Sequence, residues 1–522
     1  MLVALYILPA MFITYKFKIE NSFTGTVLGI WFLISAYIPW AIPVFTMPAP
    51  NGDFSIGSET FHWVDSSRLE WFTHENDSDL REVMVQAWYP SEDSNSIVPN
   101  PYMDFMKLRS KTLASAGKIP AFLPSHLDMI MTNTRKEVDC SERLGKYPVF
   151  IFSHGITGSR HLHQVLFEHL AARGYVVFAP DHSFDANLTI FPDGKIADYR
   201  SEITGDPDSI LIREKQINTR AFDIGFIIDQ AKKIESGIID SKLSGKLDLN
   251  RVALGGHSYG GATAILASHN HEIIKACVVL DGWISPIPDK VISEGIDVPF
   301  LFMGRPSWDD SDYPGNYERL ADLIADSSNE QYDLRINHTL HLDYTDIPLM
   351  SPLVKHVMDV GELSPSTTLP LINDLVLGFL EMHLLERDHN GFKKALHNNL
   401  LISGSRILGL TSEGSYKAME GYGPVGVAKA SLEAVVRQIG WELGSEGITA
   451  NTIQAGITPT RALTKISDDW EKWVEKTKER NPMKRVTTPE DVAGLISLLL
   501  NDKANFINCS TIFCDGGEHR SL

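Results

Sequence analysis

Cysteine is scarce in this chain of 522 residues: Cys140, Cys277, Cys509 and Cys514 are the full set. They form no C-x-x-C pair and no Cys/His cluster, so neither a disulfide framework nor a zinc site is indicated. Cys277 lies in an apolar run and is expected in the core. Basic charge is also short. Against 66 Asp and Glu there are 47 Lys and Arg, a formal net charge of −19. A surface of that sign repels phosphate backbones, so nucleic acid is not an expected partner. No internal repeat or low-complexity tract is present, which excludes solenoids and collagen-like chains. What remains is an ordinary folded composition, 43% hydrophobic and 22% charged. A prior of about 100–200 residues per domain divides it into two to four units.

Between Asn21 and Gly52 charge is missing altogether. The run TVLGIWFLISAYIPWAIPVF has the roughly 20 residues that cross a bilayer core. Trp31, Tyr37 and Trp40 are residue types that settle at membrane interfaces. A shorter apolar run, MLVALYILPAMFITY, precedes it, and KFKIE separates the two. The start carries no basic side chain, which argues against a cleaved signal peptide. Residues 1–48 are therefore expected to be a membrane anchor of one or two transmembrane helices. Lys16 and Lys18 would lie on the cytoplasmic side, placing the rest of the chain outside the cytoplasm.

After the joint MPAPNGD come two alternating, strand-like stretches, FHWVD and EVMVQAWYP, then a long polar segment to about Gly145. From there short apolar strands alternate with helices. HQVLFEHLAARG reads as an amphipathic helix, TRAFDIGFIIDQAKKI as another. This rhythm predicts an α/β unit over 49–390, a mostly parallel sheet with helices on both faces. A polar, basic stretch at 386–402 marks a boundary, and 402–522 is again α/β.

Gly256-His257-Ser258-Tyr259-Gly260 is a G-x-S-x-G. It follows the strand RVALG and precedes the helix-forming GATAILASH, the context of a nucleophile elbow. A serine on such a turn is pushed clear of the sheet, and the helix N-terminus favours developing negative charge. Serine needs a base, here a histidine oriented by a carboxylate, in the chain order Ser, acid, His. His341, which ends the strand-like YDLRINHTLH, is the expected base, with His338 as the decoy. His356, His383 and His389 fall on helical or linker stretches. Asp281 ends the strand IKACVVL and is the expected acid; Asp309, Asp310 and Asp343 are alternatives. The oxyanion requires N–H donors. Tyr259, next to the nucleophile, should supply one and Ile156, in the loop FSHGITG, the other. His154 is expected to organise that loop. The motif calls for neither metal nor cofactor.

The motifs Trp88-Tyr89-Pro90, FSHGITGSR, GHSYGG, LDGW (280–283) and HLDYTD resemble the plasma-type platelet-activating-factor acetylhydrolases, a branch of the α/β-hydrolase fold, over about residues 50–385. The acid directly after the strand that follows the elbow is part of that likeness. The resemblance implies a calcium-independent esterase with Ser258, Asp281 and His341 as catalytic residues. It would remove short or oxidised acyl groups from phospholipids, a substrate class that a membrane anchor suits. A polyester or dienelactone-type esterase is the alternative within the class.

A second resemblance covers 402–519. LGLTSEGS, Tyr422-x6-Lys429, GVAKASLEA, NTIQAG, TTPEDVAGLISLLL and FCDGG look like the C-terminal half of a short-chain dehydrogenase/reductase of the enoyl-acyl-carrier-protein reductase branch. In that family the Lys holds the nicotinamide ribose and the Tyr donates a proton, so Ser412, Tyr422 and Lys429 stand as a vestigial reductase motif. The dinucleotide-binding half should lie upstream of Tyr422, where hydrolase sequence stands instead. The glycines of GGHSYGG there lack the G-x-G-x-x-G spacing. The expectation is a partial Rossmann-type segment, a fusion remnant without NAD(P)H-dependent reductase activity; a working reductase is the alternative.

Overall fold

The computed structural model describes residues 30, 33, 37–73, 75–92, 98–120, 122–202, 209–309, 311–387, 392, 402–403, 406–418, 422–460, 463, 469–500 and 504–520. The chain divides into two compact units, Met1–Leu396 and His397–Leu522. Most of the N-terminal segment expected to cross the membrane lies outside the described residues.

Among the described residues of the first unit the strands are β1 (Ser55–Leu69), β2 (Leu80–Ser91), β3 (Pro99–Pro101), β4 (Met131–Lys136), β5 (Tyr147–Ser153), β6 (Val176–His182), β7 (Leu188–Ile190), β8 (Ile196–Asp198), β9 (Leu247–His257), β10 (Ile274–Leu280), β11 (Phe300–Gly304) and β12 (Gln331–Ile336). All but β7 and β8, which pair with each other, join one mixed sheet in the order β12-β11-β10-β9-β5-β6-β2-β1-β4-β3. From β6 to β12 the pairing is parallel. The expectation of a mostly parallel sheet needs one amendment. β1 and β2 form an antiparallel pair, and β2 joins β6 antiparallel. Only a short connection links β1 to β2, too short for the crossover that parallel pairing requires.

The central strands are buried throughout: every residue of β5, β6 and β11 is inside. Such strands need cover on both faces. The helices are α1 (Met106–Ala116), α2 (Gln164–Ala172), α3 (Ser209–Glu235), α4 (Tyr259–Asn270), α5 (Asp289–Glu294), α6 (Asn316–Ala325) and α7 (Pro365–Leu385). The stretch expected to be an amphipathic helix, α2, has no exposed face at all. It lies against β2 and β6, and Gln164 and Glu168 find buried partners. Glu168, for one, accepts hydrogen bonds from Asn133 and Thr134 on β4. Among the described residues, α7 alone is long and apolar enough to cross a membrane, and 67% of its apolar window is buried inside the protein. Leu375, Val376 and Phe379 are fully enclosed, so its apolarity serves the core.

In the second unit β13 (Arg406–Thr411), β14 (Thr449–Ala455) and β15 (Thr511–Cys514) form a parallel sheet with β14 in the middle. The helices are α8 (Gly423–Leu443), α9 (Trp470–Arg480) and α10 (Pro489–Leu499). The side chain of Thr488 caps α10, accepting from the Asp491 N–H at 3.2 Å, while Asp491 reaches back to the Thr488 N–H at 2.9 Å. This reciprocal pair satisfies two amides that a helix start leaves open.

Candidate active site

Four consecutive parallel strands, β9 to β12, end at one edge of the sheet, where α/β proteins gather their ligands. Ser258 follows β9 directly, at φ 57° and ψ −122°. This strained backbone lets the chain turn at once into α4, and it requires tight packing. A Cβ on Gly256 would strike the Gly260 carbonyl; a Cβ on Gly260 would strike the Ser153 carbonyl. Glycine at both places is a steric condition of the turn. The turn is tied down by the Ser258 N–H to Leu280 O at 3.0 Å and the Trp283 N–H to Ser258 O at 3.0 Å.

Asp281 follows β10 at φ 40°. One oxygen, Oδ2, meets His341 Nδ1 at 2.6 Å. The other accepts the Arg305 N–H at 3.0 Å and the Trp308 Nε1–H at 3.2 Å. Burial pushes this carboxyl up, but the bond to His341 and the Arg305 charge outweigh it and hold Asp281 below the usual carboxylate value. It is thus a carboxylate at neutral pH, able to orient an imidazole.

The run expected to be one strand through His341 stops at Ile336. A loop follows, and His341 opens a short 3-10 turn, His341–Tyr344. That loop carries the ring over the elbow, and His341 Nε2 lies 2.9 Å from Ser258 Oγ. Trp308 stands edge-on to the ring at 5.5 Å. His257 packs beside it at 4.6 Å and its Nε2 bonds the His341 carbonyl at 2.9 Å. Burial, then the neighbouring His341, push His257 down to about 3, so it stays neutral.

The other candidates have different surroundings. His338 is in the loop rather than the strand, at φ 60°, with Glu362 3.8 Å away. Asp343 is tied up by the Leu340 and Gly361 N–H groups at 2.7 and 2.6 Å. Asp309 and His356 are exposed. His383 packs on Phe379 at 4.6 Å. Asp310 and His389 lie outside the described residues.

A cavity of about 600 Å³ opens over Ser258 and His341. Ile156 lines it, as do Trp283, Trp308, Tyr313 and Arg213. Trp283 and Tyr313 lie 4.4 Å apart, and Arg213 lies over the Trp283 ring at 5.2 Å. Tyr259 begins α4, so its N–H belongs to the first turn, which has no acceptor within the helix. Sequence reasoning did not single out Arg305 and Trp308 as partners of Asp281. Their neighbours in sequence, RPSWDD, carry no recognisable pattern; only the path of the loop after β11 brings them there.

In the second unit, Ser412 Oγ and Tyr422 Oη are 3.1 Å apart. Lys429, two turns along α8, points its Nζ at the Leu410 carbonyl, 2.8 Å away.

The family model of platelet-activating factor acetylhydrolase, isoform II, matches residues 42–399. The chain belongs to this family. Platelet-activating factor acetylhydrolase of Gallus gallus is 27% identical over 274 residues, 47% of this chain and 64% of that protein. A ferulic acid esterase from Streptomyces cinnamoneus superposes with a TM-score of 0.53 at 25% identity, covering 66% of this chain and 94% of that one. Ester hydrolysis is common to the acetylhydrolase family and this structural neighbour. Residues 389–519 match the enoyl-(acyl carrier protein) reductase model. The enoyl-[acyl-carrier-protein] reductase of Enterococcus faecalis is 37% identical over 120 residues, 23% of this chain and about half, 48%, of that protein. The acetylhydrolase family chain thus carries a reductase-like segment behind its hydrolase unit.

Proposed function

We propose that the protein is a serine carboxylic ester hydrolase acting through an acyl-enzyme, with Ser258 as nucleophile, His341 as base and Asp281 as the acid that orients it. The observation that carries this reading is the unbroken series Ser258–His341–Asp281, with separations of 2.9 and 2.6 Å, under an open cavity. His341 Nε2 takes the Ser258 proton as Oγ attacks the ester carbonyl. Asp281 holds the Nδ1–H and stabilises the imidazolium. The Ile156 and Tyr259 amides receive the tetrahedral oxyanion. His341 then protonates the leaving alcohol, and water releases the acyl group by the same path in reverse.

Membership of the acetylhydrolase family supports a phospholipid with a short or oxidised sn-2 acyl chain as substrate, and the aromatic walls Trp283, Trp308 and Tyr313 suit an apolar acyl group. The charge-free stretch 21–52 supports anchoring in a membrane, and Lys16 and Lys18 before it support a hydrolase unit outside the cytoplasm. The segment 402–522 reads as a remnant without reductase activity, since its similarity stops at about half of a reductase.

The test is hydrolysis of a p-nitrophenyl acetate and of an sn-2-acetyl phospholipid by the wild type and Ser258→Ala. Turnover of both, lost in the variant, is expected. Turnover of the nitrophenyl ester alone would retain the mechanism and remove the phospholipid; activity surviving in Ser258→Ala would remove the mechanism.

A further inference from the structure

The loop after β5 passes close to the nucleophile. A Cβ on Gly155 would come within 3.2 Å of Ser258 Cβ and 3.1 Å of His257 Nδ1. Gly155 C=O and Ile156 N–H belong to one planar peptide unit, and in a trans peptide they point in opposite directions. The direction of that carbonyl therefore decides where the Ile156 N–H points. Three donors hold it: the Gly158 N–H at 3.0 Å, His154 Nδ1 at 2.6 Å and Arg220 Nη2 at 3.4 Å. The Ile156 N–H faces away from all three, and Ile156 lines the same cavity as Ser258.

Arg220, on α3, does more than share that carbonyl. Its Nη1 donates to the His154 carbonyl at 2.7 Å. Its guanidinium lies 4.7 Å from the ring centroid of Tyr259, the residue expected to supply the second amide. Asp185 binds its Nε and so fixes the guanidinium in place, while the Asp185 carbonyl accepts the Thr157 N–H at 3.2 Å. Behind the loop is a second Ser–His–Asp series, wholly buried. Ser153 Oγ meets His182 Nε2 at 2.9 Å, and His182 Nδ1 meets Asp223 at 2.9 Å. No substrate can enter there. The array instead anchors the end of β5, and the His182 N–H, bonding His154 Nε2 at 3.1 Å, leaves the His154 proton on Nδ1, where the Gly155 carbonyl needs it.

We propose that Arg220 is a positioning residue for the oxyanion hole, one guanidinium that sets the Ile156 peptide through its carbonyl side and braces Tyr259 through its ring. The inference rests on the esterase reading of Ser258. Without Arg220 the 155–156 peptide loses two of the bonds that orient its neighbourhood, and the N–H is no longer held toward the developing charge. The ground-state ester, which needs that N–H less, binds nearly as before.

The experiment compares wild type, Arg220→Lys, Arg220→Gln and the double variant Asp185→Asn/Arg220→Gln, which leaves no unpaired buried carboxylate. Each is measured for kcat and KM on p-nitrophenyl acetate, for inhibition by a trifluoromethyl ketone that adds to serine as a tetrahedral oxyanion, and for Tm. The expected result for Gln is a kcat lower by about 10²–10³, the cost of losing one oxyanion donor. KM should stay within about threefold, and the inhibitor should weaken by the same factor as kcat/KM. Lys should recover part of the loss. A folded Gln or double variant with wild-type kcat and inhibitor affinity, or with KM alone raised, overturns the proposal. Wild-type turnover that survives Ser258→Ala overturns the esterase reading itself, and the inference with it.

Discussion

Ser258 holds φ 57°, a region that costs a side chain about 1–3 kcal/mol, and the elbow keeps it there through backbone bonds and glycine contacts. The pentapeptide around it is local, so it was legible in the sequence. Asp281 and His341 were legible for a related reason: each follows a strand, and strand ends of a parallel sheet meet at one edge. The choice between His341 and His338 was harder. They are three residues apart, and only the geometry of the loop puts His341 at 2.9 Å from Ser258 and turns His338 toward Glu362. His341→Ala should lower kcat by roughly 10⁶. His338→Asn, which tolerates the left-handed backbone at φ 60°, should stay within about threefold of wild type. Steady-state kinetics on a chromogenic ester decides this, and the reverse pattern would move the base to His338. Arg220 could not be found from sequence, because its partners His154, Asp185 and Tyr259 are scattered and no spacing links them.

Two elements show how cohesion is divided. α2 is buried on every side, and its Gln164 and Glu168 are satisfied by neighbouring groups. Burial raises Glu168 to about 7, against which the bonds from Asn133 and Thr134 pull down. In the unfolded chain this carboxyl loses its proton near 4.5. Between those values the folded state binds more protons than the unfolded one. The stabilising contribution is therefore complete below 4.5 and is lost as pH rises through 7. Glu168→Gln carries no such penalty, so its Tm relative to wild type should rise between about pH 5 and about pH 8.5. A difference unchanged across that range in thermal melts would mean that Glu168 is already ionised in the fold. α7 presents the other case. Its apolar run passes for a membrane span by length and composition, yet Leu375 is fully enclosed. Leu375→Ala should cost about 2–5 kcal/mol, read from denaturant unfolding; a cost under about 0.5 kcal/mol would contradict its place in the core.

For the whole molecule, a hydrolase unit and a reductase-like unit share one chain, and their chemistry need not be shared. Ser412 and Tyr422 are in contact, but Lys429 is bonded to the Leu410 carbonyl. With the similarity ending at about half of a reductase, the full-length protein should show no NADH- or NADPH-dependent reduction of a crotonyl thioester. Turnover that disappears in Tyr422→Phe would establish the opposite.

The sequence by itself determined the two resemblances and the G-x-S-x-G stretch, and it offered Ser258, Asp281 and His341, in that chain order, as the candidate site. All of these are set by short spacings and by the alternation of strands and helices, which neighbouring residues encode. Only the tertiary structure decided that β2 joins β6 antiparallel, that α2 is buried all round, and that Arg305, Trp308 and Arg220 stand where they do. Those facts depend on which distant surfaces meet, and a linear pattern records each surface without recording its partner.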